Sequence, residues 1–264
     1  YWCSKRKGMI HPTAIVSDSA SIDSSVKIGA YSVIDDNVII DANTIIESHV
    51  VIKNYTKIGK NNHLYQFASI GEDPQDLKYN GEKTKLIIGD NNIFREYCTI
   101  NRGTVTGINE TIIGCNNLFM AYSHVAHDCI IKDNCILSNA ASLAGHVSLG
   151  NNVSLGGFTL VHQFCDIGDY AFSGLGTVIS RDVTPYTLVA GNHAQAYKIN
   201  SAGLKRKGFD DSVISSLEKV FKLFIKSKAG REQAQESFEK LKIKLPETDY
   251  FINFIKNSER GVTR

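Results

Sequence analysis

Aliphatic residues recur every six positions along most of the chain. Ile10, Val16, Ile22, Ile28, Ile34, Ile40, Ile46, Ile52, Ile58, Leu64 and Ile70 form one unbroken series, and Ile88, Phe94 and Ile100 resume it after a break. The phase then slips by one residue. The series continues through Ile113, Phe119, Val125, Ile131, Leu137, Leu143, Leu149, Leu155, Val161 and Ile167, missing only at Ser173 before Ile179. Four positions after an anchor the residue is mostly small or β-branched, as at Ala14, Val26, Ser32, Val50, Ala68, Ala141 and Thr159. The position just after it is often glycine, as at Gly29, Gly59, Gly89, Gly150 and Gly168.

A period of six matches neither the helical repeat nor the alternation of a strand. It fits a coil of three short strands per turn, with the anchors filling the interior and Gly or Asn turning the corners. Coils stacked about 4.8 Å apart then align residues roughly 18 positions apart in columns, and each coil is stabilised by its neighbours.

Two stretches break the pattern. Residues 72–86, EDPQDLKYNGEKTKL, carry Asp76 and Glu82 where anchors are due, and residues 101–112, NRGTVTGINETI, displace the phase. Both read as loops extruded from a coil that spans 9–198, and loops on a rigid scaffold often carry function. From residue 199 to 264 the pattern becomes helical. Val213, Leu217, Val220, Phe221 and Phe224 mark one helix face behind a cap at Asp210 or Asp211, and further helices are expected at about 231–244 and 247–258. Residues 1–8, YWCSKRKG, read as an appended leader.

Charge sharpens this division. Residues 9–197 hold 11 Lys and Arg against 18 Asp and Glu, whereas residues 198–264 hold 15 against 9. A basic tail on an acidic body suggests that the tail meets an anion, either a phosphate or an acidic protein. No apolar run reaches the roughly 18 residues a membrane-spanning helix needs. Cys98, Cys129, Cys135 and Cys165 each fall four residues after an anchor, in the small interior slot, so they read as buried reduced thiols in a cytoplasmic protein.

The candidate chemistry lies in the histidines. His124 and His127 sit in SHVAHDC, His146 in LAGHVSLG and His162 in LVHQFC. Their anchors Val125, Leu143 and Val161 are one coil apart, which is expected to place His127, His146 and His162 on one face. Such a column suits a general base near neutral pH, or alternatively a zinc site of the kind found in carbonic-anhydrase-like hexapeptide proteins. Asp128 is the type of carboxylate that orients an imidazole, although neighbours on a strand point to opposite faces.

Taken in order, YQFASIGEDPQDLKY (65–79), TINRGT (99–104), HVAHDC (124–129), LAGHV (143–147), VHQFC (161–165), GNHA (191–194) and GLKRKGF (203–209) resemble the UDP-N-acetylglucosamine O-acyltransferase family of lipid A biosynthesis. The resemblance runs from Met9 to Arg264. It implies a left-handed parallel β-helix with a C-terminal α-helical domain, assembled as a homotrimer with sites between subunits. It also implies transfer of a (3R)-3-hydroxyacyl chain from acyl carrier protein to the 3-hydroxyl of UDP-N-acetylglucosamine, with no metal or other cofactor.

In that family His127 matches the general base and Gly145 the backbone donor to the oxyanion. Asp76, Lys78, His124, His146, His162 and Gln163 match positions lining the sugar nucleotide or the acyl chain, and Asn200 and Arg206 match nucleotide contacts. Ala202 stands where the family often has an acidic residue, and Lys207 where it has a second Arg. Leu175 matches a Gly in members that take longer chains, which implies a shorter acyl chain here. The sister N-acyltransferase of the same pathway adds an N-terminal uridine-binding domain, for which hexads starting at Ile10 leave no room. A purely structural scaffold would give no reason for the histidines.

Overall fold

The computed structural model of the chain describes residues 10–227 and 230–264, so the leader expected at 1–8 lies outside the described residues. From Ile15 to Ile179 the backbone forms short strands, most of two residues, separated by turns. They stack in parallel into three sheets. Rungs one coil apart pair in register, as in Ile15↔Val33, Ser21↔Ile39 and Lys27↔Ile45, which makes the chain a triangular β-helix. The anchors point inward. Ile34, Ile52, Ile70, Ile100, Val125 and Leu143 form one fully buried column, and Phe94 and Phe119 stack inside another with centroids 4.7 Å apart. Replacing one such side chain by alanine would cost about 2–5 kcal/mol, because the rigid coils on either side cannot collapse into the gap.

Ser173, the one polar anchor, is buried with its hydroxyl 2.8 Å from that of Thr159 and 3.0 Å from the Gly156 N–H. A polar ladder runs beside the apolar one: the side-chain oxygens of Asn62, Asn92 and Asn117 accept from the N–H of Asn92, Asn117 and Cys135 in turn. The cysteines Cys98, Cys129, Cys135 and Cys165 are free and buried. Burial pushes the first three thiols up to about 12.

From Tyr31 onward most corners of the triangle are closed by a residue with positive φ. The edge between the third and first sheets carries Tyr31, His49, Phe67, Tyr97, Tyr122, Ala140 and Phe158, and the edge between the second and third carries Asn43, Asn61, Asn91, Asn116, Asn134 and Asn152. The remaining edge, between the first and second sheets, carries Asn37, Tyr55, Asp128, His146 and Phe164. Both irregular segments emerge from this same edge. One leaves after the strand Ser69–Glu72 and returns at Lys85–Ile88; the other leaves after Thr99–Asn101 and returns at Glu110–Ile113.

Below Ile179 the regular coil ends in a hairpin. Thr187–Ala190 extends the third sheet in parallel, and Gln195–Ile199 turns back antiparallel to it. Among the described residues four α-helices follow: α1 (Ser201–Arg206), α2 (Asp211–Phe221), α3 (Arg231–Lys240) and α4 (Pro246–Asn257). Helix α2 runs on into a wider π turn at Lys222–Lys226 and buries Ile214, Leu217, Val220 and Phe221, so the helix face read from the sequence extends to Phe224 and Ile225. The last residues return to the coil. Asp182 N–H donates to Gly261 O, Thr263 N–H donates to Asp182 O, and the Ser258 hydroxyl donates to the Asp182 carboxylate at 2.6 Å.

Candidate active site

Corner stacking determines which side chains meet. His127 and Gly145 each stand two residues past their anchors, and Asp128, His146 and Phe164 each stand three past theirs. Backbone bonds tie the corners together, His146 N–H to His127 O at 3.0 Å and Phe164 N–H to Gly145 O at 3.1 Å. The His146 ring therefore stacks on Phe164 at 4.4 Å and meets the His127 ring edge-on at 5.1 Å.

His127 Nδ1 lies 2.8 Å from Asp128 Oδ2. The expectation that neighbours diverge fails here because both residues are on a corner, with Asp128 at φ 59°, and not on a strand. Asp128 is fully walled in. Its carboxylate accepts from the Thr104 N–H at 3.1 Å, the Thr104 hydroxyl at 2.6 Å and the Ile108 N–H at 3.0 Å. Burial pushes its pKa up, but the bonds from His127, Thr104 and Ile108 outweigh that and hold it below the usual carboxylate range. An ionised carboxylate only accepts, so Nδ1 carries the proton and Nε2 keeps a lone pair. Nε2 has no protein partner among the described residues, and the ring is slightly exposed.

His124 Nδ1 lies 2.7 Å from the Thr99 hydroxyl on the adjacent rung. Its pKa is lowered by burial and by the charge of His127. His146 is lowered chiefly by burial, against the raising charge of Asp128. For both, the folded value lies below the ordinary 6.5. The unfolded chain therefore takes up these protons first, so the stability they contribute is present above about 6.5 and is lost as pH falls through the lowered values. Because Asp128 raises His146, Asp128→Asn is expected to lower the His146 pKa further in an NMR titration. A rise would contradict the assignment of these charges.

Asp76 and Lys78 lie on the first extruded segment. The Asp76 carboxylate accepts from Lys78 N–H at 3.0 Å, and its charge reaches His146. Lys78 is exposed.

His162 departs from the expected column. Standing one residue past its anchor, it is exposed and makes no ring contact with His127 or His146 among the described residues, with Nδ1 3.1 Å from the Gln163 carbonyl oxygen and 3.3 Å from Arg260 Nη2. The place stacked on His146 belongs to Phe164. Asn200 and Arg206 hang from a different edge. The Asn200 side chain caps α1 at Gly203 N–H and donates to Tyr170 O at 3.1 Å, while Arg206 is exposed in the last turn of α1. Leu175 is 78% exposed on the third edge, over Gly157.

The three-histidine zinc set is therefore not assembled within the chain. His127, Asp128 and His146 do bring ligand atoms within 4.8 Å of one another. The donor chemistry argues against a metal, because both Asp128 oxygens are already taken by Thr104, Ile108 and His127. A carboxylate has about four lone-pair sites, and these donors occupy them, which leaves none for zinc. The buried thiols, at about 12, offer no nucleophile.

Comparison with known proteins gives the family. The profile described as Udp N-acetylglucosamine O-acyltransferase, Domain 2, matches residues 182–263, and the bacterial transferase hexapeptide profile matches residues 19–54 and 110–145. The acyl-acyl-carrier-protein–UDP-N-acetylglucosamine O-acyltransferase of Pseudomonas putida strain W619 is 48% identical over 255 residues, 97% of this chain and 99% of that one. The chain belongs to the UDP-N-acetylglucosamine O-acyltransferase family. Its fold matches the crystal structure of the enzyme from Moraxella catarrhalis RH4 with a TM-score of 0.94 at 46% identity, over 97% of this chain and 100% of that one. It matches the enzyme from Bacteroides fragilis 9343 with a TM-score of 0.94 at 37% identity, over the same shares. The left-handed β-helix expected from the resemblance is thus the family's fold.

Sequence reasoning missed Thr99, Arg102, Thr104, Ile108 and Phe164. Counting rungs would have found Phe164, three residues past Val161 as His146 is past Leu143. Arg102 and Thr104 lie in TINRGT, which the resemblance picked out, but the six-residue period assigns them no contact, because an extruded segment has no period.

Proposed function

We propose that the chain transfers a (3R)-3-hydroxyacyl group from acyl carrier protein to the 3-hydroxyl of UDP-N-acetylglucosamine, the first step of lipid A biosynthesis. The observation that carries the reading is His127, held through Nδ1 by an ionised Asp128 and offering Nε2. The relatives' names supply the substrates. His127 Nε2 takes the proton from the sugar hydroxyl as its oxygen attacks the thioester carbonyl. The resulting oxyanion accepts from the N–H of Gly145, which donates to no protein acceptor among the described residues. Collapse breaks the carbon–sulfur bond, and the departing thiolate of the carrier takes the proton back from His127. The products are the sugar ester and the free carrier thiol, with no covalent enzyme intermediate.

Asp76, Lys78, His124, His146, His162 and Gln163 line the path of the sugar or acyl chain on this reading, and Asn200 and Arg206 hold the nucleotide. Those last two and Leu175 hang from edges other than that of His127, which supports a site completed by a second copy in a homotrimer. The exposed aromatic ridge of Tyr31, Phe67, Tyr97, Tyr122 and Phe158 offers an apolar surface for that contact. A solution mass of one chain would sink the trimer. Free buried thiols favour a cytoplasmic setting, where the acidic carrier would meet the basic helical tail. No described helix is long and apolar enough to cross a membrane.

Incubating the purified chain with 3-hydroxyacyl carrier proteins and UDP-N-acetylglucosamine tests the reading, with the product followed by mass. An ester product is expected; transfer only to a 3-amino sugar nucleotide, or no transfer from any donor, would overturn it. Leu175 fills the space of several methylenes, so Leu175→Gly is expected to shift donor preference toward longer chains. An unchanged chain-length profile would remove Leu175 from that role.

A further inference from the structure

We propose that Arg102 is a positioning residue: a buried strut that holds the Asp76 and Lys78 segment in place and ties it to the segment that walls in the His127–Asp128 pair. The inference rests on the acyl-transfer reading. Arg102 is only 3% exposed, and a guanidinium is buried at high cost unless its donors are engaged; both terminal nitrogens are, and Nε alone lacks a partner. Here the fork reaches both the scaffold and the loop. Nη1 donates to Asn54 Oδ1 at 2.6 Å and to Gly71 O at 2.9 Å, while Nη2 donates to the Tyr79 hydroxyl at 2.8 Å and to the Asp73 carboxylate. Asp73 and Tyr79 flank Asp76 and Lys78 in sequence, so the strut pins both ends of the short stretch that carries them. The Arg102 N–H donates to Glu72 O at 3.0 Å, the Asn101 side-chain amide donates to Asp73 O at 2.7 Å, and Tyr79 passes its own proton to Glu82 O.

Two residues further on, Thr104 grips Asp128 with its N–H and its hydroxyl. The link between the two grips has no slack. A side chain on Gly103 would collide with the backbone of Asn109 and Glu110, and one on Gly107 would collide with the Asp128 carboxylate. Asp76, Lys78, Tyr79 and Glu82 face Thr104, Val105 and Thr106 across a narrow crevice. The second segment is thus a brace, with the substrate-binding loop fixed at Arg102 and the catalytic pair fixed at Thr104.

The two grips predict a kinetic signature that loss of folded protein would not produce. Freeing the Asp76 and Lys78 segment makes each substrate pay the ordering entropy on binding, whereas the His127–Asp128 pair stays held by Thr104. Arg102→Gln is expected to raise KM for the sugar nucleotide about tenfold or more, with kcat within about threefold. Arg102→Lys, a point charge without the planar fork, should recover only part of the loss. Tyr79→Phe leaves Arg102 in its seat and removes one grip on the loop, so a rise of about threefold in the same KM is expected. A purely structural role would lower the amount of active enzyme, and hence apparent kcat, at unchanged KM. That result in Arg102→Gln overturns the proposal; should Arg102→Gln not fold, an unchanged KM in Tyr79→Phe overturns it. If the parent chain makes no ester product, it is the acyl-transfer reading that fails.

Discussion

His127→Ala is expected to lower kcat by about 10²–10⁴-fold while KM for both substrates stays within a few-fold. The ring's position explains the size of the effect. Nδ1 is committed to Asp128, and Nε2 is the lone pair on this edge best placed to take a proton from a bound hydroxyl. His124 and His146 are poorer substitutes, because burial holds both below their ordinary values and the Nδ1 of His124 already contacts Thr99. The fold should survive, since the side chain projects from a corner and fills no interior slot. Steady-state kinetics with a melting curve checks both parts. A variant that keeps more than about a tenth of the parent kcat would remove His127 from the proton transfer.

Gly145→Ala should be nearly as damaging, for a steric reason. A Cβ at Gly145 would stand 2.6 Å from His127 Cε1 and 2.8 Å from Nε2, closer than carbon and nitrogen tolerate. Backbone strain is not the cause, since Gly145 is outside the positive-φ set. The imidazole must therefore swing away, breaking its bond to Asp128 and leaving the space where the thioester would sit. A loss of kcat of about a hundredfold or more is expected, with a melting temperature close to the parent's. Crystals of the variant should reveal a turned His127 ring. A parent-like ring with full activity would contradict this account of the corner.

These two residues also mark how far the sequence could be read. The six-residue period was legible because every coil repeats the same steric demand, an aliphatic anchor inside and a residue able to take positive φ at the corner. Register followed from counting. It brought His127 and His146 to adjacent coils, which the structure bears out at 5.1 Å. Counting anchors alone did not settle which residue of the next coil stacks on His146, because the offset from the anchor decides it: Phe164, three residues past Val161, meets His146, whereas His162, one residue past it, does not. The same offset rule explains why Gly145 lies against His127. Strand alternation misjudged Asp128, since a corner residue at φ 59° does not alternate.

The irregular segments were recognisable only as gaps in the repeat. Their contacts, Arg102 to Asp73 and Tyr79 and Thr104 to Asp128, depend on three-dimensional closure that no period encodes. That both segments and the histidine cluster occupy one edge was implicit in the spacing, because each gap falls where the corner three residues past Ile70 or Ile100 would stand. On the proposed trimer the exposed positions on the other edges, Leu175 and Arg206 among them, would face neighbouring chains, which a single chain's pattern does not describe.

On the proposed reading, His127 moves the proton in an acyl transfer that needs no metal. That reading is tested most directly by measuring ester formation from a 3-hydroxyacyl carrier protein and UDP-N-acetylglucosamine before and after exhaustive chelation, with the metal content of the active protein determined alongside. An unchanged rate and no stoichiometric metal are expected, because the Asp128 oxygens are filled by protein donors. A rate abolished by chelator and restored by zinc would contradict it.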